Sequence, residues 1–131
     1  MTRFVVDASA VLHLASAGVD VSSAHELLAP TLLRSQTLSA LHEAVARGEI
    51  PAHVGLERHR LISRMPIRLL GDAVLRRRAW DVADRLGWSS TYDAEYLALT
   101  QLQADAFVTL DADLARSVGD IVSTASIEGL R

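Results

Sequence analysis

Ala106-Phe107-Val108-Thr109-Leu110-Asp111-Ala112-Asp113-Leu114 is the stretch on which the reading of the fold turns. An apolar run of strand length ends on an aspartate, and a helix-like pattern begins directly after it. The amino end repeats the arrangement in Phe4-Val5-Val6-Asp7-Ala8-Ser9-Ala10. Strands that feed straight into helices are the units of a parallel α/β sheet. In such a sheet the carboxyl ends of the strands share one edge, where the crossover helices begin and where ligands of open sheets bind. Asp7 and Asp111, far apart in the chain, are therefore expected on one edge. A third aspartate, Asp93, follows Ser90-Thr91-Tyr92 and precedes another apolar helical pattern.

Outward from these segments, residues 8–17 form a small apolar helix that Gly18 ends. Residues 22–28 read as a short helical piece capped by Ser22 or Ser23. Pro30 suits the first turn of a longer helix that reaches Arg47 and stops at Gly48. Pro51 opens a further helix to about Ser63, and Pro66 breaks it. Residues 67–70 read as a strand, and Gly71-Asp72 starts a helix that ends near Leu86-Gly87. A helix over 93–103, a strand over 106–110, a short helix over 112–117 and a last strand over 121–125 complete the chain. Residues 22–63 show no strand and are expected to cover one side of the site. No repeat or linker divides the 131 residues, which suit one domain spanning 1–131.

Half of the chain is apolar and 22% is charged, ordinary for a globular protein. The net charge is −3, from 13 basic and 16 acidic side chains, so overall charge lends no support to a nucleic-acid partner. It does not exclude one, because local distribution matters more. The chain has no cysteine, hence no disulfide, no thiolate zinc site and no cysteine nucleophile. No apolar run approaches the ~18 residues of a membrane span, and the first residues do not read as a signal peptide. The expectation is a cytoplasmic protein without a membrane partner.

The three aspartates have two compatible readings. As N-caps, Asp7 and Asp111 each contribute about 1 kcal/mol through orphan amides. Asp93 lies in a first turn, at the third helical position if Ser90 is the cap, where a carboxylate suits the helix dipole. As a convergent set they repel: two carboxylates ~4 Å apart cost about 4 kcal/mol at an effective dielectric of 20. That exceeds one cap, and a bound hard divalent cation is the simplest compensation.

Together these segments resemble a bacterial PIN domain. The residues that carry the likeness are Val5-Val6-Asp7-Ala8-Ser9-Ala10, Tyr92-Asp93-Ala94-Glu95-Tyr96-Leu97-Ala98-Leu99 and Phe107-Val108-Thr109-Leu110-Asp111-Ala112-Asp113-Leu114. The nearest likeness within the family is to VapC-type toxins of toxin–antitoxin pairs. The resemblance implies a three-layer α/β/α sandwich with a central, mostly parallel five-stranded sheet. It also implies a Mg²⁺- or Mn²⁺-dependent endoribonuclease, a homodimer, and inhibition by a small cognate antitoxin. By the resemblance Asp7, Asp93 and Asp111 are the catalytic, metal-holding acids. Thr109 and Ser9 would support them by hydrogen bonding.

The family's usual pattern carries a glutamate near the start of the long second helix, a short distance after a proline. At that spacing from Pro30 this chain has Gln36. At about 100° per residue Gln36 flanks a stripe of Leu33, Ala40 and Ala44 and is expected at the rim of the core. An amide oxygen there can still meet a cation or its water, with one negative charge fewer. Glu43 shares nearly the same face but lies roughly 10 Å along the axis, too far to replace the missing acid. The rival to an active nuclease is thus a weakened PIN-like module that binds RNA or a protein without efficient cleavage.

Asp113 is either an exposed first-turn acid favoured by the dipole or a contact to a second metal. Glu95 is expected to face solvent. The five histidines lack the i, i+4 spacing of a zinc helix. Arg76-Arg77-Arg78 point in different directions on a helix and read as a solvated face rather than one patch. Trp80, Trp88, Tyr92 and Tyr96 read as packing residues. A haloacid-dehalogenase site is disfavoured by Asp7-Ala8-Ser9, where that chemistry wants Asp-x-Asp. A receiver site is disfavoured by the absence of lysine. The first turn also lacks the glycines of a dinucleotide site. Two apolar helices, 8–17 and 30–47, with Val11, Leu12, Leu32 and Leu41, are expected to form an antitoxin groove over an acidic floor.

Overall fold

The computed structural model describes all 131 residues. In chain order the elements are β1 (Thr2–Val6), α1 (Ala8–Ala17), β2 (His25–Pro30), α2 (Leu32–Ala46), α3 (Ala52–Arg64) and β3 (Ile67–Leu70). They continue with α4 (Ala73–Leu86), α5 (Tyr92–Gln103), β4 (Ala106–Val108), α6 (Ala112–Ser117) and β5 (Thr124–Ala125), and a 3₁₀ turn over Ile127–Leu130 closes the chain. The five strands are all parallel, in the order β3-β2-β1-β4-β5. Helices α1, α2 and α3 pack on one another and α4 packs on α5, flanking the sheet in a three-layer α/β/α sandwich.

The strands are nearly continuous apolar runs because a parallel sheet is covered on both faces. Val5, Val6, Leu28 and Val108 are fully buried, and Leu27 and Phe107 nearly so. From α5, Ala94, Tyr96, Leu97, Ala98 and Leu99 join the same 25-residue core. Gly87 ends α4 in the left-handed conformation at φ 71°, turning the chain toward Trp88 and the start of α5.

One strand contradicts the sequence reading. His25–Pro30 is β2, not the end of a helical piece followed by a proline-led helix. It pairs with β1 from Thr2↔His25 to Val5↔Leu28 and with β3 from Leu27↔Ile67 to Pro30↔Leu70. The short apolar run Leu27-Leu28-Ala29 has no period of its own, and burial between two neighbours makes it a strand. Pro30 sits at the strand's end, where its missing N–H is tolerated, and α2 begins only at Leu32. Residues 22–63 therefore contribute a strand as well as cover. The last strand is also shorter than expected, with Thr124–Ala125 alone in the ladder.

The connections leave β1 toward β2 on one side, while β4 and β5 lie on the other. The chain order therefore reverses between β1 and β4, and the crevice beyond their carboxyl ends is the expected ligand position of an open α/β sheet.

Candidate active site

Two strand-to-helix turns meet in that crevice. Asp7 caps α1: its Oδ1 accepts from Ala10 N at 3.0 Å and from Ser9 Oγ at 2.6 Å. Asp111 caps α6, with Oδ1 accepting from Leu114 N at 3.1 Å. The turns are stitched together. Asp7 N donates to Val108 O at 3.3 Å. Ser9 Oγ accepts from Leu110 N at 2.9 Å and lies 3.3 Å from Thr109 Oγ1, which itself accepts from Asp111 N at 3.1 Å. A hydrogen-bonded path, Asp7–Ser9–Thr109–Asp111, thus crosses from β1 to β4. Both carboxylates spend Oδ1 on the protein, and Oδ2 of each makes no hydrogen bond in the fold.

Asp93 arrives from α5. Thr91 is the N-cap, so Asp93 is the second helical residue rather than the third. Ser90 Oγ accepts from Tyr92 N at 3.3 Å. Asp93 caps nothing, and its pKa is raised above the ordinary aspartate value of 3.8. The residue presents surface to solvent, yet the protein behind its carboxyl removes part of its hydration, the largest cause of the shift. The charges of Asp7 and then Asp111 raise it further. The three acids are therefore electrostatic neighbours.

They are not packed into a tight cage. No three His, Asp or Glu side chains stand close enough to share one ion. The chemistry of the donors nonetheless suits a hard cation. All are carboxylate oxygens, two of them uncommitted Oδ2 atoms, with Asp93 held at a charge penalty that a cation would relieve. Mg²⁺ fits such an open edge, because it keeps several waters and takes only one or two carboxylates.

Gln36 is half-buried at the rim, as its helical phase predicts, but the buried stripe of α2 is Leu33, Thr37 and Leu41 rather than Ala40 and Ala44. Its Oε1 accepts from the phenol of Tyr96 at 2.6 Å. Tyr96 is buried, with its ring tilted against Phe107 at 6.3 Å. Burial raises its pKa, with Asp7, Glu95 and Asp93 adding to the effect. Tyr96 is the residue the sequence reading missed. The signal available was its position one helical turn after Asp93.

Gln36 and Asp93 line one cavity of about 550 Å³, together with Trp88, Ser89, Ser90 and Tyr92. Tyr92 is 60% exposed, as is Trp80, so neither is the packing residue expected. Glu95 is half-buried rather than solvent-facing; desolvation raises its pKa, opposed by Arg76. Asp113, in the first turn of α6, is highly exposed and paired with Arg116. The groove expected between α1 and α2 does not rest on the acid edge. Val11 and Leu41 are core, and the cavity there meets Glu49 and Arg58 instead.

The fold has a solved counterpart. The crystal structure of PAE2754 from Pyrobaculum aerophilum superposes with a TM-score of 0.78, covering 98% of this chain and 92% of that one at 23% identity. At that identity the likeness concerns the fold. No family model and no curated protein sequence matches the chain.

Proposed function

We propose that this chain is a metal-dependent endoribonuclease of the PIN type, hydrolysing phosphodiester bonds of single-stranded RNA at the edge formed by Asp7, Asp93 and Asp111. The observation that carries the reading is the pair of strand-to-helix turns at the β1/β4 switch point, where the capping acids Asp7 and Asp111 are joined through Ser9 and Thr109 and their charges reach Asp93. Three carboxylates gathered there gain nothing for the fold beyond two caps. When bound, Mg²⁺ or Mn²⁺ supplies Lewis-acid activation of water and neutralises charge developing on the phosphate. The chain's own residues prepare the edge. Asp7 and Asp111 are held by their caps through Oδ1, and the Oδ2 of each would be the oxygen offered to the ion. Ser9 and Thr109 hold the two turns in register, and Asp93 would add the third carboxylate. The homodimer and the cytoplasmic setting belong to the same reading, and no helix is long and apolar enough to cross a membrane.

Cleavage of a labelled single-stranded RNA, with and without a chelator, tests the proposal. Metal-dependent cutting that disappears in Asp93→Asn supports it, and cutting that survives chelation sinks it.

A second reading has its own observation. Gln36 stands where the resembled family carries an acid, and no three acids meet at ligating distance. On this reading the chain is a PIN-like module that binds RNA or a protein and cleaves poorly. For a small antitoxin, the surface that suits an amphipathic helix is the apolar cleft between α2 and α3, lined by Leu38, Leu41, Val45, Gly55 and Leu56.

A further inference from the structure

The cavity beside Asp93 contains two features that the metal edge does not require. Tyr92, at the first position of α5, presents most of its ring to solvent rather than to the core. Gln36 is held from below: the buried Tyr96 phenol donates to its Oε1, so the carbonyl end of the amide is turned toward the protein. Its Nε2 is the end left to donate to a ligand. The Ser90 hydroxyl accepts from Tyr92 N and keeps its own proton free to donate.

We propose that this cavity is a nucleotide subsite for single-stranded RNA, in which the Tyr92 ring stacks on one base and the Gln36 amide donates to an oxygen of the adjoining phosphodiester. The inference rests on the ribonuclease reading for its substrate and goes beyond it in assigning where one nucleotide sits. The cavity, about 550 Å³, lies within the ordinary range for a small-molecule site. A solvent-facing aromatic ring offers a sequence-tolerant platform, since every base has a π face. The amide answers an electrostatic problem. A glutamate at position 36 would add a fourth negative charge beside an incoming phosphate, whereas a glutamine fixed by Tyr96 is neutral there and offers an N–H. Gln36 and Tyr92 would touch substrate; Tyr96 acts through Gln36 and is a positioning residue.

The test is fluorescence anisotropy in EDTA with a fluorescein-labelled single-stranded RNA octamer and with an abasic ribose-phosphate oligomer of equal length. Mn²⁺ calorimetry is run on each protein. Tyr92→Ala is expected to weaken RNA binding about tenfold and leave the abasic oligomer unaffected. Gln36→Met is expected to weaken both oligomers several-fold. Tyr96→Phe, which keeps the ring against Phe107, should do the same and add nothing in a Gln36→Met background. Mn²⁺ affinity should stay unchanged in all three. RNA binding by Tyr92→Ala equal to that of the parent, or additive losses in the double variant, overturns the subsite. A parent protein that binds and cleaves RNA while these variants match it removes the subsite alone. A parent that binds neither oligomer in EDTA and does not cleave RNA when Mn²⁺ is added removes the nuclease reading as well.

Discussion

The Tyr96 phenol donates a 2.6 Å hydrogen bond to Oε1 of Gln36, sixty residues earlier in the chain. The bond ties α5 to α2 and settles which end of the amide is spent on the fold. A buried phenol without an acceptor would carry a desolvation cost of about 1–3 kcal/mol, so the pairing stabilises the fold as well as orienting the amide. Gln36 is thus held in place beside Asp93 rather than being a loose helix residue.

Catalysis is expected to require all three acids. Asp7→Asn, Asp93→Asn and Asp111→Asn should each lower Mg²⁺- or Mn²⁺-dependent RNA cleavage by at least about 100-fold, the scale on which loss of one charge-stabilising group acts. Single-turnover cleavage of a labelled RNA measures it. Retained activity in any one variant would remove that aspartate from the site.

Gln36→Glu should bind Mn²⁺ more tightly than the parent, by about tenfold, because it adds a charged oxygen at the rim occupied by Asp93. The Tyr96 phenol can still donate to the new carboxylate, so the fold is kept. Calorimetric titration compares the two proteins, and equal affinities would mean that position 36 does not reach the ion.

Asp93 sets a pH dependence of stability. Its folded pKa lies above its ordinary value of 3.8, so the folded state binds its proton more readily than the unfolded chain does. Ionised Asp93 therefore destabilises the metal-free protein at neutral pH, and the penalty is relieved as pH falls through the raised pKa toward 3.8. Asp93→Asn should raise Tm at pH 7, on the order of 1–2 °C given solvent screening, and the gain should vanish near pH 4. Mn²⁺ should raise the parent's Tm at pH 7 and leave Asp93→Asn nearly unmoved. A gain that is equal at both pH values would show that the charge is not its source.

Asp7 behaves differently, because its Oδ1 already serves Ala10 N and the Ser9 hydroxyl. Asp7→Asn keeps a competent cap and should change metal-free stability little, whereas Asp7→Ala should cost about 1 kcal/mol. Ser9→Ala removes the link between the two turns and should cost a similar amount. Urea denaturation separates these cases. A loss of several kcal/mol in Asp7→Asn without metal would mean that the aspartate is kept for structure alone.

Much of the local structure around the candidate acids was readable from local pattern. The aspartate caps of α1 and α6 depend on contacts three residues apart, and Gly18 and Gly87 end their helices through a backbone freedom that belongs to the residue itself. Such short-range interactions are written in neighbouring residues, so strand, acid and helix are legible at Asp7 and at Asp111 in the sequence alone.

The rest depended on partners far away in the chain. His25–Pro30 is a strand because β1 and β3 take up its backbone hydrogen bonds, and nothing in six residues states that pairing. The raised pKa of Asp93 comes from protein packed behind its carboxyl and from charges on two other elements. The hold of Tyr96 on Gln36 joins two helices that meet only when the layers close. Spacing along a helix gives the phase of a residue, while the distance between elements is set by the side chains packed between them, and that information is shared across the whole core.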